Sequence, residues 1–231
     1  MALTHKIICG DCIEVMKEME SDSVDLVVTD PPYGMSKAFQ NDNLEDQKDF
    51  NRTWLSELTR RFDCPILIWY KPSSIDEIIV PARELGLELK DYFHLYKPND
   101  IAFPRGSWIR ISESIMLFSR KGRDVGYIDR KPYAHDTYIW NHTKKDKSFY
   151  HPAVKPLEVV IDILSRIKFD TVLDVFLGSG TTSVAAERLG RNSIGIEISK
   201  EYCEIAYKRL LNEVRQAKLD REPSIIERIG F

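Results

Sequence analysis

A chain of 231 residues, 43% of them hydrophobic, is long enough to bury one sizeable core and falls in the range of single-domain α/β folds. It has no run of about 18 apolar residues, and Met1-Ala2-Leu3-Thr4-His5-Lys6 leads straight into a strand-like segment, so neither a membrane span nor a secretory leader is expected, and a cytoplasmic protein is. The net charge of -3 argues against a nucleic-acid partner until it is mapped: residues 97–155 carry twelve Lys or Arg against six Asp or Glu, a local +6 on a body of -9.

Cys9, Cys12, Cys64 and Cys203 are too few and too scattered for a disulfide framework. The spacing Cys9-Gly10-Asp11-Cys12 resembles half of a zinc site, but no second ligand pair completes it, so no metal is expected. Apolar, β-branched runs predict strands over 6–9, 24–29, 66–70, 114–118, 171–176 and 193–198, spaced as in a parallel sheet with crossover helices.

After the strand over 24–29 comes Thr29-Asp30-Pro31-Pro32-Tyr33-Gly34. Two prolines stiffen the backbone and remove two donors, which leaves fixed carbonyl acceptors beside the Asp30 carboxylate. Such an array suits an amino group on a flat heterocycle: its two N–H bonds go to Asp30 and the Pro31 carbonyl, and Tyr33 stacks on the ring. The polar stretch 35–49 is expected to be a mobile loop. Ser74 and Glu77 are spaced as a capping box for a helix carrying Ile75, Ile78 and Ile79, which Pro81 should kink or shorten.

Between 120 and 150, cations alternate with Tyr127, Tyr133, Tyr138, Trp140, Phe149 and Tyr150. The pattern suits stacking and phosphate contacts on a nucleic acid, and equally a small β-rich unit that buries the rings. Leu157, Val160, Ile161, Leu164 and Ile167 then repeat at helical spacing. The tail from 219 carries little signal.

Asp174-Val175-Phe176-Leu177-Gly178-Ser179-Gly180-Thr181-Thr182 leaves a strand and opens a helix, with glycines that permit a sharp turn and close ligand approach. It lacks the third glycine of a dinucleotide fingerprint and the Lys of a P-loop. Glu197 ends the next strand, where nucleotide-binding α/β proteins place an acid for ribose hydroxyls.

Asp30-Pro31-Pro32-Tyr33, His151-Pro152-Ala153-Val154-Lys155-Pro156 and the segment from Asp174 to Thr182, in that order, resemble the amino-methylating DNA methyltransferases of the β arrangement. The resemblance runs from about residue 7 to 210. It implies a circularly permuted Rossmann-like methyltransferase fold with a mostly parallel central sheet, as one domain over 1–231 with a target-recognition insertion around 97–150. It also implies S-adenosylmethionine as cofactor and double-stranded DNA as partner, and admits a homodimer and a cognate restriction endonuclease.

Carried over by residue, Asp30, Pro31, Pro32 and Tyr33 would be catalytic. Asp174, Phe176, Gly178, Ser179 and Gly180 would line the cofactor, with Thr181 and Thr182 near its methionine end, Lys155 near its carboxylate, Glu197 at the ribose, and Asp11 with Cys12 at the adenine. Lys144, Lys145 and Lys147 would meet DNA phosphates. The base stays open between adenine N6 and cytosine N4, with the Asp at the first motif position leaning towards adenine. Competing readings are a methyltransferase acting on RNA or protein, a nicotinamide-dependent oxidoreductase, and a DNA-binding module without catalysis.

Overall fold

Strands that are apolar on both faces need cover on both faces, and Ile66–Tyr70 shows how it is supplied. Ile66, Ile68 and Tyr70 point into one core and Leu67 and Trp69 into the other, as the period of two requires. The computed structural model of the protein describes residues 2–21, 23–33, 47–98, 111–141, 154–217 and 224–230.

The elements run in the order β1 (Thr4–Cys9), α1 (Cys12–Glu18), β2 (Leu26–Thr29), α2 (Gln47–Arg61), β3 (Ile66–Tyr70), α3 (Asp76–Glu84), β4 (Leu87–Tyr96) and β5 (Ser112–Arg120). They continue as β6 (Thr137–Ile139), α4 (Leu157–Leu164), β7 (Thr171–Asp174), α5 (Thr181–Leu189), β8 (Asn192–Glu197), α6 (Lys200–Ala217) and β9 (Ile225–Ile229).

Among the described residues the strands form one nine-stranded sheet, in the order β6-β4-β5-β3-β2-β7-β8-β1-β9. Every pairing is parallel except the two made by β5. The late strands β7 and β8 sit between β2 and β1, which is the permuted order expected. Residues of α1, α2 and α3 pack on one face, and residues of α4 and α5 on the other, with α6 joining α5 over β1. No helix among the described residues is long and apolar enough to cross a membrane.

Several expectations need correction. Ser74 caps nothing: it ends a short turn at Pro72–Ser74, Ile75 takes the cap position without a side-chain bond, and the Glu77 carboxylate accepts instead from the Tyr70 hydroxyl. The helix neither stops nor shortens at Pro81 but runs on to Glu84, because the Glu77 carbonyl that proline leaves without a donor accepts from Asn51 Nδ2 at 3.3 Å. Helix α4 ends at Leu164, and Ile167 bridges to Tyr127. The strands expected over 24–29 and 171–176 are shorter, Leu26–Thr29 and Thr171–Asp174. Residues 47–49 are the first turn of α2 rather than loop, and 35–46 lie outside the described residues. The strand expected over 114–118 is longer, Ser112–Arg120, and is part of the main sheet.

Candidate active site

In an open parallel sheet, ligands bind beyond the carboxyl ends of the strands, where neighbouring strands feed loops in opposite directions. Here that point lies between β2 and β7, which pair in parallel with Val27 opposite Leu173. From β2 the chain goes on to α2 and β3 on one side, and from β7 to α5 and β8 on the other. The Asp30 loop and the Gly178 loop therefore leave the sheet side by side. A bond from Thr29 Oγ1 to Asp174 Oδ1 (3.0 Å) ties their bases together.

Asp174 anchors the glycine loop. Its buried carboxylate also accepts from Thr182 Oγ1 at 2.7 Å and from the Phe176 amide at 3.1 Å. Burial pushes its pKa up to about 7, against the pull of these three donors. Glu197, at the end of β8, accepts from the Gly178 amide at 2.9 Å with one oxygen and from the Ser199 amide at 2.8 Å with the other. A carboxylate has about four acceptor positions, so acceptor capacity remains for a ligand hydroxyl. From α6, the half-buried Arg209 guanidinium braces the loop, donating to Ser179 Oγ (3.1 Å) and Thr181 Oγ1 (2.9 Å). Burial lowers its pKa to about 10.

Gly178 and Gly180 both take positive φ, 52° and 81°. At Gly180 the requirement is packing as much as ligand approach, since a Cβ there would lie 2.9 Å from Ala206 Cβ and 3.2 Å from its Cα. Gly180→Ala is expected to cost about 2–4 kcal/mol, from left-handed strain plus overpacking against α6. Urea unfolding checks this, and a midpoint equal to the parent's would show that α6 yields.

The Asp30 loop is held by groups that local sequence does not announce. Gln47 Nε2 donates to the Pro32 carbonyl (2.7 Å) and Lys71 Nζ to the Tyr33 carbonyl (2.7 Å), while the Tyr33 ring meets Tyr70 edge-on at 5.0 Å. The Tyr33 hydroxyl donates to Asp30 Oδ1. Burial, reinforced by the charges of Asp30 and Glu113, raises the Tyr33 phenol well above its ordinary value, so it stays a donor.

Lys155, expected near a methionine carboxylate, has its ammonium 2.8 Å from Asp30 Oδ2 and 3.1 Å from Glu113 Oε2. Burial raises the Asp30 pKa and Lys155 opposes the rise. Phe176 packs edge-on against Trp54 at 5.4 Å.

Asp11 caps α1, accepting from the Ile13 and Glu14 amides at 2.9 and 3.1 Å, and lies beside Gly10, whose amide bonds the Glu197 carbonyl at 2.9 Å. Cys12 is buried in the core, and that burial pushes its thiol up to about 12. Lys144, Lys145 and Lys147 lie outside the described residues. The aromatics before them divide between the two readings. Tyr138 and Trp140 pack on the core, whereas Tyr133 is 71% exposed with Lys131 Nζ 5.8 Å from its ring centre.

The family model described as DNA methylase, of the N6 and N4 type, matches residues 24–208. The Type II methyltransferase M.HpaI of Haemophilus parainfluenzae is 30% identical over 237 residues, which cover 91% of this chain and 76% of that protein. The crystal structure of an M1.HpyAVI–SAM complex is 26% identical and superposes with a TM-score of 0.73 over 89% of this chain and 98% of that one. PvuII DNA methyltransferase, named as cytosine-N4-specific, is 16% identical and shares the fold, with a TM-score of 0.76 over 98% and 96% of the two chains. An oxidoreductase is thereby set aside. Since the matched span begins just before strand β2, ends within α6 and takes in both loops, the chain belongs to the DNA methylase family of N6 and N4 amino-methylating enzymes.

Proposed function

We propose that this methyltransferase uses S-adenosylmethionine to methylate the N6 amine of an adenine rotated out of double-stranded DNA. The observation that carries the reading is the parallel pairing of β2 with β7, which sets the Asp30 acceptors beside the glycine loop at one end of the sheet. The donor set fits the cofactor. Glu197 keeps acceptor capacity for ribose hydroxyls, and the first turn of α5 opens from Gly180 with amides that have no acceptor within the helix, suited to a carboxylate. When bound, the cofactor supplies an electrophilic methyl group on a sulfonium.

The amine is a poor nucleophile because its lone pair is delocalised into the ring. Accepting its two N–H bonds at Asp30 and the Pro31 carbonyl localises that pair and aims it. For this to happen the Tyr33 hydroxyl must release Asp30 Oδ1, which also frees the ring to stack on the base. The pair forms the new N–C bond, and an amine proton then passes to the Asp30 carboxylate. Asp30, Pro31, Pro32 and Tyr33 are thus the catalytic loop of this reading.

Nothing in this geometry separates adenine N6 from cytosine N4, since both present a conjugated amine. The proposal of adenine rests on the Asp at the first motif position, and the shared fold with a cytosine-N4 enzyme keeps the alternative in the test. Mass spectrometry of nucleosides from DNA treated with the purified protein should find N6-methyladenine. N4-methylcytosine alone would overturn the base and leave the mechanism standing. The Type II name of the relative supports a restriction endonuclease of the same specificity as a partner.

A further inference from the structure

Glu113 belongs to neither loop motif. It stands in β5, the antiparallel strand beside β3, and its half-hidden carboxylate lies between two ammonium groups. Lys97 Nζ is 2.8 Å from Oε1 and Lys155 Nζ is 3.1 Å from Oε2. Lys155 in turn reaches Asp30 Oδ2 at 2.8 Å, with its ammonium 5.5 Å from the Tyr33 ring centre and 5.6 Å from that of Trp69. A chain of alternating charge, Lys97, Glu113, Lys155, Asp30, therefore runs from the sheet to the catalytic carboxylate.

The reaction makes this arrangement a problem that needs a counter-charge. As the amine pair forms the N–C bond and the C–S pair returns to sulfur, positive charge moves onto the amine nitrogen beside Asp30. An ammonium 2.8 Å from the accepting carboxylate opposes that build-up and weakens the carboxylate as a proton acceptor. Lys155 is nevertheless enclosed there by two aromatic rings, so it cannot swing away to water without losing its packing.

We infer that Glu113 is a positioning residue for methyl transfer: tethered by Lys97, it fixes the Lys155 ammonium against Asp30 and cancels its charge where the target amine becomes cationic. The inference rests on the amine-methylating reading above. Although burial opposes ionisation, Lys155 and Lys97 pull the Glu113 carboxyl down to about 2, so the counter-charge persists across the working pH range. The titratable groups facing Asp30 are Tyr33 and Lys155 in contact, with Glu113 and Asp174 beyond them.

The test compares the parent enzyme, Glu113→Gln and Glu113→Asp in steady-state methylation of duplex DNA across pH, with S-adenosylmethionine affinity measured by calorimetry. Glu113→Gln should lower kcat about tenfold or more while the cofactor Kd stays within about threefold. The acid limb of kcat/KM should move to lower pH, because Asp30 loses a neighbouring anion and keeps an undivided cation. Glu113→Asp should recover part of kcat and hold the parental limb. If Glu113→Gln does not fold, Glu113→Asp against the parent decides by the same two readouts. A limb that stays in place or moves up in Glu113→Gln, kcat within twofold of the parent, or a failure of Glu113→Asp to hold the parental limb overturns the inference. A parent that transfers no methyl group to DNA overturns the underlying reading instead, so the two failures are distinct.

Discussion

Asp30→Ala is expected to leave S-adenosylmethionine affinity within about tenfold and to lower methyl transfer by about 10³-fold or more. In the proposed reaction Asp30 would serve twice, as acceptor of an amine N–H bond that strengthens in the transition state and as first acceptor of the departing proton. Loss of a fixed electrostatic partner costs about 10²–10³-fold and loss of proton acceptance about 10²–10⁴-fold, and the two are not additive. The cofactor loop should hardly notice, because its ties to β2 run through Thr29 and Asp174 and not through the Asp30 side chain. The substitution also removes one of the two carboxylates that Lys155 meets among the described residues, so some loss of stability is expected and thermal unfolding should accompany the assay. Asp30→Asn, which keeps an acceptor oxygen, should lose less. Equal loss of cofactor affinity and turnover would remove Asp30 from the catalytic role.

The second large effect is expected at Glu197. Its carboxylate fixes the Gly178 and Ser199 amides, and in the proposed complex also holds ribose hydroxyls, so Glu197→Ala removes a shaping group and a ligand contact together. Loss of hydrogen bonds to a charged group costs about 1–3 kcal/mol, which corresponds to a rise in cofactor Kd of roughly 5- to 150-fold. Titration calorimetry with S-adenosylmethionine reads this directly. At saturating cofactor, kcat should return most of the way to the parent's value, since Glu197 lies away from Asp30. An unchanged Kd would show that the ribose is held elsewhere.

The positions of these two residues stood out in the sequence because each lies at the end of a strand with a local signature, Asp30 just after β2 and before two prolines, Glu197 as the last residue of β8. The central strands were legible for the same reason, and Ile66–Tyr70 matches its predicted span. What escaped was carried by partners from distant elements. Glu113, Lys97, Gln47 and Arg209 have unremarkable neighbours in sequence, and their roles exist only once β5, α2 and α6 are in place. Strands β4 and β9 escaped because charged residues break their apolar alternation. In β9 this reflects an edge position, where Glu227 faces Lys6 at 3.4 Å. Ser74 and Glu77 had the spacing of a capping box, but Tyr70 captured the Glu77 carboxylate, and tertiary contact overrode the local rule.

The most direct measurement is transfer of a labelled methyl group from S-adenosylmethionine by the purified protein, with duplex DNA and RNA offered separately and Asp30→Ala run beside the parent. Label on duplex DNA with the parent alone, released by digestion as an amino-methylated nucleoside, is the expected result. Label on RNA only, or equal labelling of DNA by Asp30→Ala, would contradict a DNA-amine methyltransferase that works through the Asp30 loop.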